Sequence, residues 1–202
     1  GVAGFGGYRF YSERRANAAA NMLASAKTSA ECQRLISEYP STPAGASAYL
    51  LVADAQKAEK KFSEAISTLQ NFLNKHPKHE LAGTARLAMA GNLEALGKVD
   101  EALTSYQRLA TSEPRAYTAP VALYSQIRLL KEKNQIEEAR RVCETIMTQY
   151  RESRFAAEAG RTVKDARVMG STLSAAPFGQ SRPSVCGVSG LPSMSMILLS
   201  LA

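Results

Sequence analysis

The chain has no tryptophan, and only 7% of its 202 residues are aromatic. That is thin material for a β-sandwich, whose strands favour aromatic and β-branched side chains, whereas the abundant alanine suits close-packed helices. Cysteine is scarce as well. Cys32, Cys143 and Cys186 are odd in number and far apart, without a CxxC pair, so neither a disulfide framework nor a cysteine metal site is indicated. The chain has two histidines, His76 and His79, on either side of Pro77. A metal site needs at least a third ligand, so they are expected to be exposed loop residues. The glycines of GVAGFGG miss the dinucleotide fingerprint because Arg9 stands at its last position, and no phosphate-loop lysine precedes a Ser or Thr. Asp54, Glu59 and Glu94 are not paired for acid–base work. The sequence therefore implies no cofactor, no metal and no enzyme.

A basic stripe is also missing. The formal charge of +7 comes from 25 Lys and Arg against 18 Asp and Glu, but stretches such as KAEKKFSE and LKEKNQIEEARR mix the two signs. A solvated helical surface explains this better than a nucleic-acid footprint, so no nucleic-acid partner is expected. Long hydrophobic runs are absent too: residues 1–8 and the terminal MSMILLSLA are each too short to span about 30 Å of hydrocarbon.

What is present is an internal repeat. Shifting the chain by 37 residues aligns KFSEAISTLQNFLNKHP (61–77), KVDEALTSYQRLATSEP (98–114) and QIEEARRVCETIMTQYR (135–151) without a gap. Ala65, Ala102 and Ala139 coincide, as do Leu69, Tyr106 and Cys143, and Phe72, Leu109 and Ile146. Pro40, Pro77 and Pro114 keep the same interval. A fixed period of this size means a solenoid. The apolar spacing within each period is helical, giving a first helix at roughly 44–58, 81–95 or 118–132, a tight turn, and a second helix closed by proline. Gly97 and Asn134 occupy the offset where a left-handed residue ends the first helix, while Lys60 breaks that rule and predicts a strained or differently closed turn. Ser63 and Asp100 are expected to cap the second helices, with Glu137 a poorer cap. The expected fold is an all-α, right-handed superhelical solenoid of antiparallel helix pairs. Its units cover about 12–40, 41–77, 78–114 and 115–151, followed by a capping helix over 153–167. Residues 168–202, rich in Ser, Gly and Pro, read as a disordered tail.

In such an array the first helices line the concave face. The register places Leu50, Asp54 and Lys57, then Leu87 and Glu94, then Tyr124, Arg128 and Lys131 there, a set able to hold an extended peptide or partner helix through apolar anchors and charged flanks. Cys32 and Cys143 fall in a core column and are expected to be buried.

The small residue in the first helix, the alanine of the second, the large apolar residue four later and the closing proline resemble the tetratricopeptide repeat, over about residues 30–155. The 37-residue period is longer than that family's standard of about 34. The resemblance implies a protein-binding scaffold, although the lysine and asparagine set with which some chaperone-binding members clamp a terminal carboxylate is missing. YPSTPAGASAYL resembles repeats of outer-membrane assembly lipoproteins and Tol–Pal-associated factors. The stretch GGYRFYSERRANAA resembles the YfgM-type ancillary subunit of the bacterial Sec translocon. That resemblance implies an inner-membrane anchor, a periplasmic repeat domain, and translocon or periplasmic chaperones as partners. Residues 1–11 would then be the end of a truncated transmembrane helix; a Gly-rich leader and a cytoplasmic regulatory subunit are the alternatives.

Overall fold

The structure, a computed structural model, describes residues 2–174, with side chains described over 6–164. The chain runs through α1 (Val2–Ser25), α2 (Ser29–Glu38), α3 (Pro43–Ala58), α4 (Phe62–Lys75), α5 (Ala82–Ala95), α6 (Val99–Ser112), α7 (Thr118–Glu132), α8 (Ile136–Gln149) and α9 (Arg154–Ser174). No strand occurs among the described residues. Each helix packs on the next, so α2, α4, α6 and α8 are wedged between the first helix of their own pair and that of the following one. First helices also touch directly, α1 with α3, α5 with α7 and α7 with α9, whereas no comparable contact joins α4 to α6 or α6 to α8. The odd-numbered helices thus form the inner face of the stack, and the even-numbered ones splay outward.

The repeat columns make the core. Ala65, Ala102 and Ala139 are at most 1% exposed, and so are Phe72, Leu109 and Ile146. A side chain as small as alanine at a fully buried position lets the paired helices pack closely. Ala53 is buried beside Ala65, and Ala90 beside Ala102, in the same two clusters. Cys32 and Cys143 are buried as expected, and burial pushes the Cys143 thiol up to about 11. These thiols are packing groups, because at neutral pH neither is a thiolate. Three apolar clusters follow one another along the stack: α1 with α2 and α3, then α3 with α4 and α5, then α5 through α9.

Tight turns join the helices of each pair by one mechanism. The N–H of Lys61 donates to Gln56 O and that of Lys60 to Lys57 O; Lys98 to Leu93 with Gly97 to Glu94, and Gln135 to Leu130 with Asn134 to Lys131, repeat the pattern. This closure puts one residue in the left-handed region. Gly97 has φ +75°, Asn134 φ +59° and Lys60 φ +61°. The Lys60 turn is therefore closed like the others, at the steric cost of a Cβ in that region. Lys60→Gly is expected to raise stability by about 1 kcal/mol and Gly97→Ala to lower it by a similar amount, read from urea midpoints at constant slope.

The expected caps of the second helices are corrected by these turns. Ser63 and Asp100 lie inside the first turn of α4 and α6, and the N-cap residues are Lys61, Lys98 and Gln135, none with a capping side chain. Each second helix begins directly after the left-handed residue, with its N-cap two positions before Ser63 or Asp100, so these side chains lie too late in the chain to cap it. Asp100 and Glu101, like Glu137 and Glu138, instead place negative charge in the first turn, where the helix dipole favours it.

At the ends, α1 is one uninterrupted helix through residues 11 and 12, and α9 runs to Ser174, past residue 167. The remainder of the expected tail, 175–202, lies outside the described residues.

Candidate functional site

Alternate elements bring the predicted concave residues onto α3, α5 and α7. Leu50, Leu87 and Tyr124 are half-buried and pack on the core. Asp54 and Lys57 are exposed on α3, and neither forms an ion pair among the described residues. Charged groups gather between α5 and α7. Arg128 reaches across the repeat boundary to Glu94 at 2.6 Å and along its own helix to Glu132 at 3.2 Å. The Tyr106 hydroxyl donates to the other Glu94 oxygen at 3.2 Å. Hydrogen bonding to Glu94 holds the Arg128 guanidinium above its ordinary value, and burial, with Glu94 close by, pushes the Tyr106 phenol up to about 12. An ion pair this exposed contributes at most about 1 kcal/mol. Its consequence is orientation: Arg128 is held over a cleft of about 220 Å³ lined by Tyr124, Ile127, Lys131, Glu158 and Thr162.

The structure thus brings Glu94, Tyr124, Arg128 and Lys131 together and leaves Leu50, Asp54, Lys57 and Leu87 as separate points along the face. One neighbour was not foreseen. Phe155 of α9 stacks on Tyr124 with ring centroids 4.9 Å apart, and Arg154 lies over Phe155 at 4.8 Å. The capping helix therefore covers the Tyr124 ring and leaves its charged flank open.

The histidines are not exposed loop residues, which corrects the sequence reading. Both are half-buried in an aromatic cluster: His76 lies 5.5 Å from Phe72, 6.1 Å from His79 and 6.2 Å from Tyr49, centroid to centroid. Pro77 turns the chain so that both imidazoles fold back onto Phe72. His79 Nδ1 accepts the Leu81 N–H at 3.1 Å, which occupies that nitrogen. Burial, then the neighbouring His79 and Lys75, hold the His76 imidazole below its ordinary value, with the Pro40 carbonyl opposing weakly. The folded state thus binds fewer protons than the unfolded chain, and stability falls as pH drops through about 6.5 toward the lower folded value. Thermal midpoints between pH 7.5 and 5.5 are expected to decline in the native chain and to decline less in His76→Gln.

A larger concavity, about 580 Å³, lies on the outer side of the stack between α6 and α8 with α7 as its floor. Sequence reasoning missed it. The signal was present in one repeat column, where Ala110 stands between Leu73 and Met147.

Stacked antiparallel helix pairs with an inner face of mixed apolar and charged residues define a helical-repeat solenoid. The family model described as tetratricopeptide repeat-like domain matches residues 1–152, and the chain belongs to that family. The match includes α1 from its start, so the aromatic and arginine-rich segment is part of the family domain. A tetratricopeptide repeat protein from Parabacteroides merdae has a similar fold, with a TM-score of 0.57 at 19% identity over 78% of this chain and 60% of that one. The nearly identical repeats of a protein designated a kinesin light chain from Podosopora anserina are similar at a TM-score of 0.51 and 14% identity, over 81% and 97% of the two chains. At such identities the likeness shows the fold alone. No curated protein matches the sequence. Domains of this family bind proteins or peptides, which makes the chain a protein-interaction scaffold.

Proposed function

We propose that the chain is a non-catalytic scaffold that captures protein segments on its inner face. The observation that carries this reading is the alignment of unpaired Asp54 and Lys57 with Glu94, Arg128 and Lys131 on three successive first helices. An extended peptide laid along that face meets alternating charges over half-buried Leu50 and Leu87, a pattern that selects by charge order. The setting is bacterial envelope protein translocation or assembly, with the repeats in the periplasm and α1 next to the inner membrane. Supporting this, Tyr8, Phe10 and Tyr11 are 71%, 62% and 61% exposed on α1, among Arg9, Arg14 and Arg15, a composition suited to a membrane interface. Arg15 also fixes α1 to the first repeat, donating to the Glu38 carbonyl at 2.7 Å and lying over Tyr39. No helix among the described residues is long and apolar enough to cross a membrane. The resemblance to the YfgM type adds translocon or chaperone partners; an outer-membrane assembly or Tol–Pal-type factor and a cytoplasmic regulatory subunit are the rival settings.

The test combines Asp54→Lys with Lys57→Glu, which reverses two exposed, unpaired charges without touching the core. Cross-linking in cells is expected to lose the partners trapped by the native face while helicity stays unchanged. Recovery of the same partners by the reversed chain would remove the inner face from the account. Fractionation of the native gene product separates the settings: membrane association with protease access from the periplasm supports the first, and a cytosolic product contradicts it.

A further inference from the structure

The outer concavity between α6 and α8 exists because one repeat lacks what another supplies. Its walls carry Leu103, Ala110 and Val142, and its floor carries Leu123, Gln126 and Leu130. One period earlier, the residues equivalent to Ala110 and Gln126 are Leu73 and Met89, and both are half-buried against the core of α3, α4 and α5. One period later the residue equivalent to Ala110 is Met147. The chain thus fills this space with its own Leu and Met at one interface and leaves it open at the next.

The rim of the opening is electrically balanced. Lys133 pairs with Asp100 across the lower end, the Gln126 amide donates to the Leu103 carbonyl at 3.3 Å, and Glu138 and Arg141 on α8 are of opposite sign. The charges of the lining cancel, and Thr104, Gln107, Thr111, Gln135 and Thr145 are polar but uncharged, so the groove favours an occupant without net charge over its apolar floor. It fits a run of uncharged Leu, Ile and Met side chains.

The chain contains such a run. Residues 194–201, MSMILLSL, carry Met194, Met196, Ile197, Leu198, Leu199 and Leu201 and no charge. The connection reaches. Antiparallel to α8, α9 is the longer of the two, 21 residues against 14, and so ends about 10 Å beyond the start of α8, at the Asp100 and Lys133 end of the groove. The length of chain from 175 to 193 is enough to span about 25 Å, which puts 194–201 within reach of the groove. We propose that residues 194–201 dock in the α6–α8 groove and supply in trans to the repeat the Leu and Met packing that Ala110 and Gln126 omit. Burying several such side chains favours an intramolecular contact without holding a free peptide tightly. This inference is independent of the inner-face reading.

The test uses the full chain with a nitroxide on Cys186, since Cys32 and Cys143 are buried. The methyl resonances of Leu103, Leu123, Leu130 and Val142 are expected to lose most of their intensity, while those of Leu35 and Val52 in the first repeat keep theirs. Two variants must each restore the lost signals: Ala110→Leu, which copies the filling of the preceding repeat, and Ile197→Asp with Leu198→Asp, which leaves the folded repeats untouched. Unchanged methyl signals overturn the proposal. So does broadening that survives either variant, broadening at Leu50 and Leu87 instead, or broadening that vanishes when labelled chain is diluted into unlabelled chain, which would mean a second copy.

Discussion

Phe72→Ala is expected to lower the free energy of unfolding by about 3–5 kcal/mol, the largest loss of any single truncation in the chain. Phe72 is 0% exposed and sits where α3, α4 and α5 meet, its ring 6.0 Å from Tyr49 and 5.6 Å from His79. The surrounding helices cannot collapse onto the space it leaves. Ala65 and Ala85, buried in the same cluster, are too short to reach into the gap, and the His76 and His79 rings rest on the lost ring. In a solenoid, stability is a sum of units and of interfaces between neighbours, so the loss falls on the second unit and on its two interfaces. Leu109→Ala and Ile146→Ala, in the same column, are each expected to cost about 2–5 kcal/mol. Urea unfolding followed by circular dichroism checks all three; a Phe72→Ala chain within about 1 kcal/mol of the native one would contradict the packing described.

The second large effect runs against what the repeat itself would advise. Gly45 lies in the column of Ala82 and Ala119, and Gly→Ala within a helix ordinarily gains about 1 kcal/mol. Here a loss of about 1–3 kcal/mol is expected. A Cβ on Gly45 would run into the backbone carbonyl oxygen of Tyr39 and lie 3.3 Å from Thr42 Oγ1. That carbonyl cannot withdraw. It accepts the Thr42 N–H at 3.2 Å and the Thr42 hydroxyl at 2.9 Å, while Thr42 Oγ1 in turn accepts the Gly45 N–H at 3.1 Å. Pro43 follows at the first helical position, so the chain leaves α2 and enters α3 through one hydrogen-bonded knot. Thermal midpoints of Gly45→Ala and of the reverse change Ala82→Gly separate the two expectations: both are expected to fall, whereas a rise in Gly45→Ala would show that the knot is looser than described.

Local register was legible in the sequence because a repeat writes it several times. Columns such as Ala65, Ala102 and Ala139, and the left-handed offset of Gly97 and Asn134, need no knowledge of distances, and α3, α5 and α7 lie within a residue of their expected bounds, whereas α1 starts ten residues before the expected start of its unit. Ser63 and Asp100 are not caps because sequence spacing does not reveal how soon after the left-handed residue the second helix begins. The burial of His76 and His79 is not legible in the sequence, because the bend at Pro77 fixes where the chain turns and says nothing of which ring lies beneath. The register assigns Leu50, Leu87 and Tyr124 to successive first helices, but the Glu94–Arg128 pair and the cover of Tyr124 by Phe155 depend on how neighbouring units stack. The outer groove is legible only as a missing side chain at Ala110.

The inward columns, Ala65 with Ala102 and Ala139 and Phe72 with Leu109 and Ile146, occupy equivalent, fully packed positions along the stack. Leucine placed singly at Ala65, Ala102 and Ala139, with exposed Ala95 as the control, tests this equivalence most directly. Each of the three is predicted to lose at least about 1–3 kcal/mol in urea unfolding, and Ala95→Leu close to nothing. If any one of the three tolerates leucine as well as Ala95 does, the columns are not equivalent and the repeat account fails.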